Sequence, residues 1–267
     1  MVNKLALTIS HITIRHFASF IELLELAIFH MTIYSTLDTI NLETTNEELR
    51  KMKAVVFVDV QKDFIDGALR NDKAIEVTPK IVEFAKECVK NNYKLYATRD
   101  THEATKYRVD HDSSIDPGST LVPVSGYFAT LEGKKLPIEH CIEGTDGWMI
   151  DKRLAEVLDD NVTIINKPTF GSFDLADIIK EDIQFSHVLD NIPHEKHFVE
   201  MYEQLEEIVI CGFVSSICIA ANAIILRAKF PNTKITIMKD LCAGITDEDH
   251  DAAMKVLEMQ QIDIIER

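Results

Sequence analysis

From residue 52 onwards, short apolar runs alternate with segments whose apolar residues recur at helical spacing. Runs typical of buried strands occupy residues 54–60, 93–100, 161–167, 206–213, 233–240 and 262–266. Helical spacing predicts helices over residues 78–91, 151–158, 216–230 and 247–260, the first with Thr78 as N-cap and Pro79 at its first position. Strands that alternate with helices form parallel sheets covered on both faces. The pattern therefore predicts an α/β fold, a three-layer α/β/α arrangement around a mostly parallel sheet.

Residues 1–51 stand apart from this pattern. The segment 4–37 is rich in Leu, Ile and Phe, but Arg15, Glu22 and Glu25 interrupt it, so it lacks the stretch of about 18 uncharged apolar residues that a membrane-spanning helix needs. We predict an N-terminal extension of unknown role over residues 1–51 and one α/β domain over residues 52–267. Either Met52 is the true initiator, or the extension is an appended or targeting segment.

Two connections are longer than ordinary turns. Residues 103–139 contain several turn signals, and residues 186–204 are polar and contain three histidines. Connections of this length are usually functional or disordered. The sequence alone does not decide between these two interpretations.

Charge and cysteine content narrow the class of protein. The 267-residue chain has a formal net charge of −16, which would repel phosphates, so we expect no nucleic-acid and no membrane partner. Its five cysteines are widely spaced and form no CxxC pair, which argues against a zinc ribbon or a redox motif. Free thiols favour a reducing compartment and predict a cytoplasmic protein.

Polar residues lie at the ends of the predicted strands. Asp59 ends the first strand, Asp100 and His102 the second, and Lys167 the third, whereas Cys218 follows the fourth strand at the start of a helix. Ligands of open α/β sheets bind outside the carboxyl ends of the strands. This edge of the sheet is therefore the predicted functional site.

Cys218 is the candidate nucleophile. A helix N-terminus supplies partial positive charge and unpaired N–H groups, which favour a thiolate and could hold an oxyanion. Asp59 is the candidate proton acceptor, and Lys167 could stabilise both anions. The alternatives are a buried apolar cysteine beside an Asp–Lys pair that only ties strands together.

Asp100, His102 and His140 suggest a metal site. Carboxylate and imidazole ligands suit zinc, iron or manganese. The Asp-x-His spacing alone is a weak signal, and the alternative for His140 is an ordinary loop histidine.

Three segments resemble motifs of the isochorismatase-like cysteine hydrolase superfamily, namely DVQKDFIDGAL (59–69), INKPTFGSF (165–173) and ICGFVSSICIAANAIILRA (210–228). The resemblance implies a catalytic triad of Asp59, Lys167 and Cys218. It also implies a cis peptide at Phe213–Val214 and an oxyanion hole formed by the N–H groups of Val214 and Cys218.

Two further segments, RDTHE (99–103) and LPIEHCIEGTDGW (136–148), are similar to the nicotinamidase branch of this superfamily. The resemblance implies one divalent metal ion (Zn, Fe or Mn) held by Asp100, His102 and His140, with Glu132 as a further candidate ligand. In the first motif, Gln61 and Phe64 are predicted to contact the substrate. Ser216 departs from the pattern, because many members have Asp two residues before the cysteine.

The predicted function is that of a metal-assisted cysteine amidohydrolase, a nicotinamidase that converts nicotinamide and water to nicotinate and ammonia through a thioester. The partners expected are a small-molecule amide substrate and further copies of the chain in a homo-oligomer. The alternatives are a hydrolase of another small amide or carbamoyl compound, and a catalytically silent binding protein with the same fold. An isochorismatase, which cleaves a vinyl ether, is disfavoured because those enzymes typically lack the cysteine.

Overall fold

The structure, a computed structural model, describes residues 52–110, 120–188 and 205–267. The predicted N-terminal extension (1–51) and most of the polar connection at 186–204 lie outside the described residues. Within the described ranges, no helix combines the length and the apolar character that crossing a membrane requires.

Six parallel strands form the central sheet. In the order β5-β2-β1-β6-β7-β8 across the sheet, they are β5 (Val162–Lys167), β2 (Lys94–Asp100), β1 (Met52–Val58), β6 (Leu205–Phe213), β7 (Lys234–Ala243) and β8 (Asp263–Ile265). The central strand β1 is buried along residues 54–58, as its unbroken apolar sequence requires for a strand covered on both faces. The predicted strands are confirmed to within two or three residues at their ends.

Helices cover the sheet. They are α1 (Lys62–Ile65), α2 (Asp72–Lys90), α3 (Leu131–Lys135), α4 (Lys152–Leu158), α5 (Phe173–Val188), α6 (Ala220–Lys229) and α7 (Asp247–Met259). Helix α2 packs against α4, whereas α6 packs against both α5 and α7. The buried side chains of these helices and of the strands form one continuous apolar core. The predicted three-layer α/β/α fold with a mostly parallel sheet is confirmed.

The start of helix α2 differs from the prediction. The helix begins at Asp72 rather than near Thr78, because the side chain of Asn71 caps it by accepting from the N–H groups of Lys73 and Ala74. Pro79 therefore lies inside the helix, where its ring nitrogen has no hydrogen to donate. The Thr78 hydroxyl donates to the carbonyl of Ala74 instead of capping a helix N-terminus.

The described parts of the long connection after β2 form small elements that the pattern did not predict. Strands β3 (Lys106–Asp110) and β4 (Thr120–Ser125) form a separate antiparallel ribbon. A short 3₁₀ turn (Tyr127–Ala129) and helix α3 follow it. After α3, Ile142 returns to the sheet edge and forms an isolated bridge with His102. The connection thus folds back over the carboxyl end of β2.

The order of the strands places a crevice next to β1. The chain proceeds from β1 to β2 and β5 on one side, and then crosses to β6, β7 and β8 on the other. Open α/β sheets bind ligands where the winding direction reverses, outside the carboxyl ends of the strands. This point lies between β1 and β6, so Asp59 and Cys218 flank it.

Candidate active site

Asp59, Lys167 and Cys218 meet at the crevice between β1 and β6. The Lys167 ammonium lies 2.7 Å from Asp59 Oδ2 and 3.6 Å from Cys218 Sγ. All three residues are buried, with at most 4% of each exposed. A carboxylate, an ammonium and a thiol in direct contact can exchange a proton and stabilise a thiolate.

The loop after β1 holds Asp59 in an unusual backbone conformation. Its φ angle is +51°, a left-handed value that non-glycine residues adopt infrequently. Thr98 on β2 contacts both ends of the residue. Its hydroxyl donates to Asp59 Oδ1 at 2.6 Å, and the Asp59 N–H points to the carbonyl and hydroxyl oxygens of Thr98. These contacts fix the carboxylate with its second oxygen towards Lys167.

Burial and charge set the protonation states of the triad. Burial raises the pKa of Asp59 above its ordinary value, although Lys167 opposes the shift. Burial alone would lower the pKa of Lys167, but Asp59 and the neighbouring thiol and carboxylate raise it, so the ammonium stays charged. Burial and Asp59 also raise the pKa of the Cys218 thiol well above its ordinary value. In this environment the thiol keeps its proton until a base accepts it, and Asp59 is the adjacent base.

Cys218 lies in the first turn of the helical segment that follows β6. That turn, residues Ser215–Ile219, is a π-helical turn that continues directly into α6. The Phe213–Val214 peptide bond just before it is cis. Asn222, one turn after Cys218, donates to the carbonyls of Cys218 and Phe170. This amide therefore ties the cysteine turn to the loop that follows Lys167.

A second polar group lies next to the triad. One ligand atom from each of Asp100, His102, Glu132 and His140 lies within 4.8 Å of the others. His102 Nε2 is 2.9 Å from Asp100 Oδ2, and His140 Nε2 is 3.2 Å from Glu132 Oε1. The structure thus brings together the three residues predicted as ligands and the further candidate Glu132.

The donor set fits a divalent cation. The ring of His140 is oriented by its Nδ1, which donates to the Ile138 carbonyl at 2.9 Å and leaves Nε2 facing the two carboxylates. Burial alone would lower the pKa of His140, but hydrogen bonds with Asp100 and Glu132 raise it to about 10. The two carboxylates stabilise a positive charge at this position, and the same negative charge would favour a bound metal cation. Two imidazoles and two carboxylates are a ligand set for zinc, iron or manganese.

The two groups share one carboxylate. Asp100 Oδ2 faces His102, while Oδ1 of the same residue lies 3.6 Å from the Lys167 ammonium. Burial alone would raise the pKa of Asp100, but the two histidines and Lys167 hold it well below its ordinary value. Register explains the proximity, because Asp100 and Lys167 are paired residues at the ends of β2 and β5.

Gln61, predicted to contact the substrate, lies next to the backbone of Asp100. Its amide donates to the carbonyls of Asp100 and Trp148, and its oxygen accepts from the Asp100 N–H at 2.7 Å. Both amide hydrogens are therefore used within the protein, and the residue is fully buried. Gln61 therefore holds the Asp100 backbone, and its predicted contact with the substrate stays a prediction. Phe64 packs edge-on against the His140 ring, with ring centroids 5.6 Å apart, and is 7% exposed.

Several residues that support the site were not singled out from the sequence. Asp63 accepts from the N–H groups of Ala68 and Cys141 and so holds the segment that carries His140. Tyr127 packs against both histidines, and Thr98 and Asn222 make the contacts described above. The position of Asp63 within the first motif was a usable signal. Tyr127 offered none, because it lies in a connection without a regular pattern.

Solved structures similar to the chain include a nicotinamidase/pyrazinamidase from Bacillus subtilis, which is 20% identical at a TM-score of 0.57 and covers 80% of this chain and 98% of its own. A pyrazinamidase from Pyrococcus horikoshii in complex with zinc is 20% identical at a TM-score of 0.58, covering 81% and 99%. The yeast nicotinamidase bound to the inhibitor nicotinaldehyde is 17% identical at a TM-score of 0.52, covering 81% and 100%. At these identities the likeness establishes the fold.

Sequence comparison with curated proteins gives no significant match. The family model described as the isochorismatase domain, in contrast, matches residues 53–266, which include every strand of the central sheet except the first residue of β1. The chain therefore belongs to the isochorismatase family.

Proposed function

We propose that the chain is a metal-dependent cysteine amidohydrolase that converts nicotinamide and water to nicotinate and ammonia. The observation that carries the proposal is the contact between the two polar groups, in which Asp100 faces both Lys167 and His102. A nucleophile and a cation site joined by one carboxylate suit a substrate with an amide at one end and a metal-binding atom at the other. The pyridine ring of nicotinamide supplies such an atom.

The first half of the reaction forms a thioester. Asp59 accepts the proton of the Cys218 thiol, and the thiolate attacks the amide carbon to form a C–S bond. In this proposal the N–H groups of Val214 and Cys218 hold the oxyanion. Asp59 then gives its proton to the nitrogen as the C–N bond breaks, and ammonia leaves. Lys167 stays charged throughout and stabilises the thiolate.

The second half hydrolyses the thioester. Asp59 accepts a proton from water, the resulting hydroxide attacks the thioester carbon, and the C–S bond breaks to restore the thiol with the proton from Asp59. Asp100, His102 and His140 would hold the cation, with Glu132 completing the set. When bound, the cation supplies Lewis acidity for the ring nitrogen or for a water molecule.

We also propose a cytoplasmic location and assembly into a homo-oligomer, as the sequence predicts. All five cysteines are free of disulfides, which suits a reducing, cytoplasmic location. Assembly of the chain into a homo-oligomer stays a prediction, to be checked by light scattering of the purified protein.

Ammonia release from nicotinamide, measured before and after chelation and after addition of Zn²⁺, Mn²⁺ or Fe²⁺, tests the proposal. We expect turnover that is lost with the chelator and returns with one of the ions. Benzamide is the matched control, because it has the same amide but no ring nitrogen, and it should be a poor substrate.

The outcomes separate the alternatives. Bound metal and turnover of another small amide or carbamoyl compound, without nicotinamide turnover, would favour the related hydrolase. No turnover of any amide by the metal-loaded protein would favour the silent binding protein. Equal rates for nicotinamide and benzamide would contradict an anchoring role for the ring nitrogen.

A further inference from the structure

Tyr127 occupies the centre of the connection that brings His140 and Glu132 to the sheet edge. Its side chain is fully buried, in a 3₁₀ turn between β4 and α3. The ring centroid lies 5.1 Å from that of His102 and 5.1 Å from that of His140. The two imidazoles are also 5.1 Å apart, so the three rings form a closed triangle of edge-to-face contacts. Each ring restricts the rotation of the other two.

The remaining contacts of Tyr127 extend to both ends of the connection. Its hydroxyl donates to the Leu136 carbonyl at 2.7 Å, on the segment that leads to His140. Its N–H donates to the carbonyl of Glu103, next to His102. One residue therefore contacts the backbone of both segments that carry the histidines, as well as the two histidine rings.

Helix α3, which carries Glu132, rests on the backbone of the same residue. A Cβ atom added at Gly133 would come within 2.2 Å of the Tyr127 carbonyl oxygen. The glycine thus permits a close approach that places Glu132 beside the histidines. The Tyr127 carbonyl also accepts from the Thr130 hydroxyl, whose oxygen caps α3 by accepting from the Gly133 N–H.

We propose that Tyr127 is the positioning residue that holds His102, His140 and Glu132 ready for a divalent cation, an inference that rests on the proposed metal site. Ordering flexible ligands during binding costs conformational entropy, and a ring that fixes them beforehand removes that cost. Removal of a group that contacts and orients the metal ligands typically weakens metal binding by about 10–100-fold. The aromatic ring makes the contacts with the imidazoles, whereas the hydroxyl contacts only the backbone.

The test is the dissociation constant for Zn²⁺, measured by competition with a chromophoric chelator. We expect Tyr127→Leu to weaken zinc binding by about 10–100-fold and Tyr127→Phe to change it by less than about threefold. Tyr107→Leu is the matched control, because this tyrosine lies in the same connection but is 47% exposed. It should bind zinc as the wild-type protein does.

The melting temperature of the metal-free proteins separates positioning from simple packing. Unchanged zinc affinity in Tyr127→Leu, with a lowered melting temperature, would make Tyr127 an ordinary core residue and overturn the proposal. An equal loss in Tyr127→Phe would assign the effect to the hydroxyl and overturn it as well. If Tyr127→Leu does not fold, Tyr127→Met fills the space without a ring and gives the same comparison.

The zinc measurement requires no turnover, so its result is independent of the substrate. A wild-type chain that binds zinc but does not hydrolyse nicotinamide would refute the proposed function and leave the comparison of Tyr127 variants intact. A wild-type chain that binds none of Zn²⁺, Mn²⁺ and Fe²⁺ would overturn the role of Tyr127.

Discussion

The carboxylate of Asp59 and the ammonium of Lys167 lie 2.7 Å apart in a site from which water is almost fully excluded. A buried pair of this kind keeps both charges only while both partners are present, because an unpaired buried charge is costly. The pair leaves the neighbouring Cys218 between a base and a cation.

Cys218→Ala should abolish amide hydrolysis, to below about 1% of the wild-type rate, because no other thiol contacts the Asp59–Lys167 pair among the described residues. The loss of a small buried side chain should lower the free energy of unfolding by about 1–2 kcal/mol. Urea denaturation and the ammonia assay measure the two effects. Cys242→Ala is the control, because Cys242 is equally buried but lies on β7, and it should retain activity. An active Cys218→Ala protein would rule out Cys218 as the nucleophile.

Thr98→Val should lower kcat/KM by about 10–100-fold, because it removes a hydrogen bond to a charged carboxylate. Burial and the charge of Asp100 raise the pKa of Asp59, whereas Lys167 and the Thr98 hydrogen bond lower it. Without that hydrogen bond the pKa of the base rises, so the acidic limb of the pH–rate profile should move to higher pH. Thr98→Ser keeps the hydroxyl and should therefore have the wild-type kcat/KM and the wild-type acidic limb. A profile unchanged in Thr98→Val would show that the hydroxyl does not act on Asp59.

Glu207 links three strands at the opposite end of the sheet. It contacts Lys53 on β1 at 2.7 Å, and Lys234 and Thr236 on β7 at 3.0 and 2.6 Å. Burial alone would raise the pKa of Glu207, but these partners lower it from 4.5 to about 2. Its stabilisation is therefore complete above the unfolded-state pKa and is lost as the pH falls from about 4.5 towards 2.

Glu207→Gln should consequently lower the free energy of unfolding by about 1–2 kcal/mol at pH 7, a modest value because Lys234 is half exposed. The difference from the wild-type protein should shrink at pH 3. Urea denaturation at the two pH values measures it. Glu206→Gln, at the exposed neighbouring residue, is the matched control. A difference that stays constant between pH 7 and pH 3 would contradict an ionic origin.

A chain that begins at Met52 should fold and show the proposed nicotinamide hydrolysis at the rate of the full chain. The reason is that the family model matches residues 53–266 and β1 begins at residue 52. Melting temperature, turnover and light scattering, each compared with the full chain, provide the measurements. Insolubility or loss of activity would show that residues 1–51 contribute to the domain or to an interface between copies.

The sequence predicts the sheet because each strand is a local apolar run, and strand ends in a parallel sheet meet at one edge. Asp59, Asp100 and Lys167 could be grouped for that reason. The ribbon formed by β3 and β4 could not be predicted, because its alternation is short and Tyr107, Val109 and Leu121 remain exposed in it. The functions of Thr98 and Gln61 depend on register between strands, which no local pattern reveals.

The shared position of the Asp100 carboxylate restricts how this protein could change over evolutionary time. One oxygen faces the histidines and the other faces Lys167, so the candidate cation site and the candidate nucleophile site share one side chain. Under the proposed metal dependence, a descendant that lost the metal while keeping Asp100 would carry a second anion competing with Asp59 for the same ammonium. A metal-free lineage would therefore have to replace residue 100 together with the histidines, in coordinated rather than independent steps.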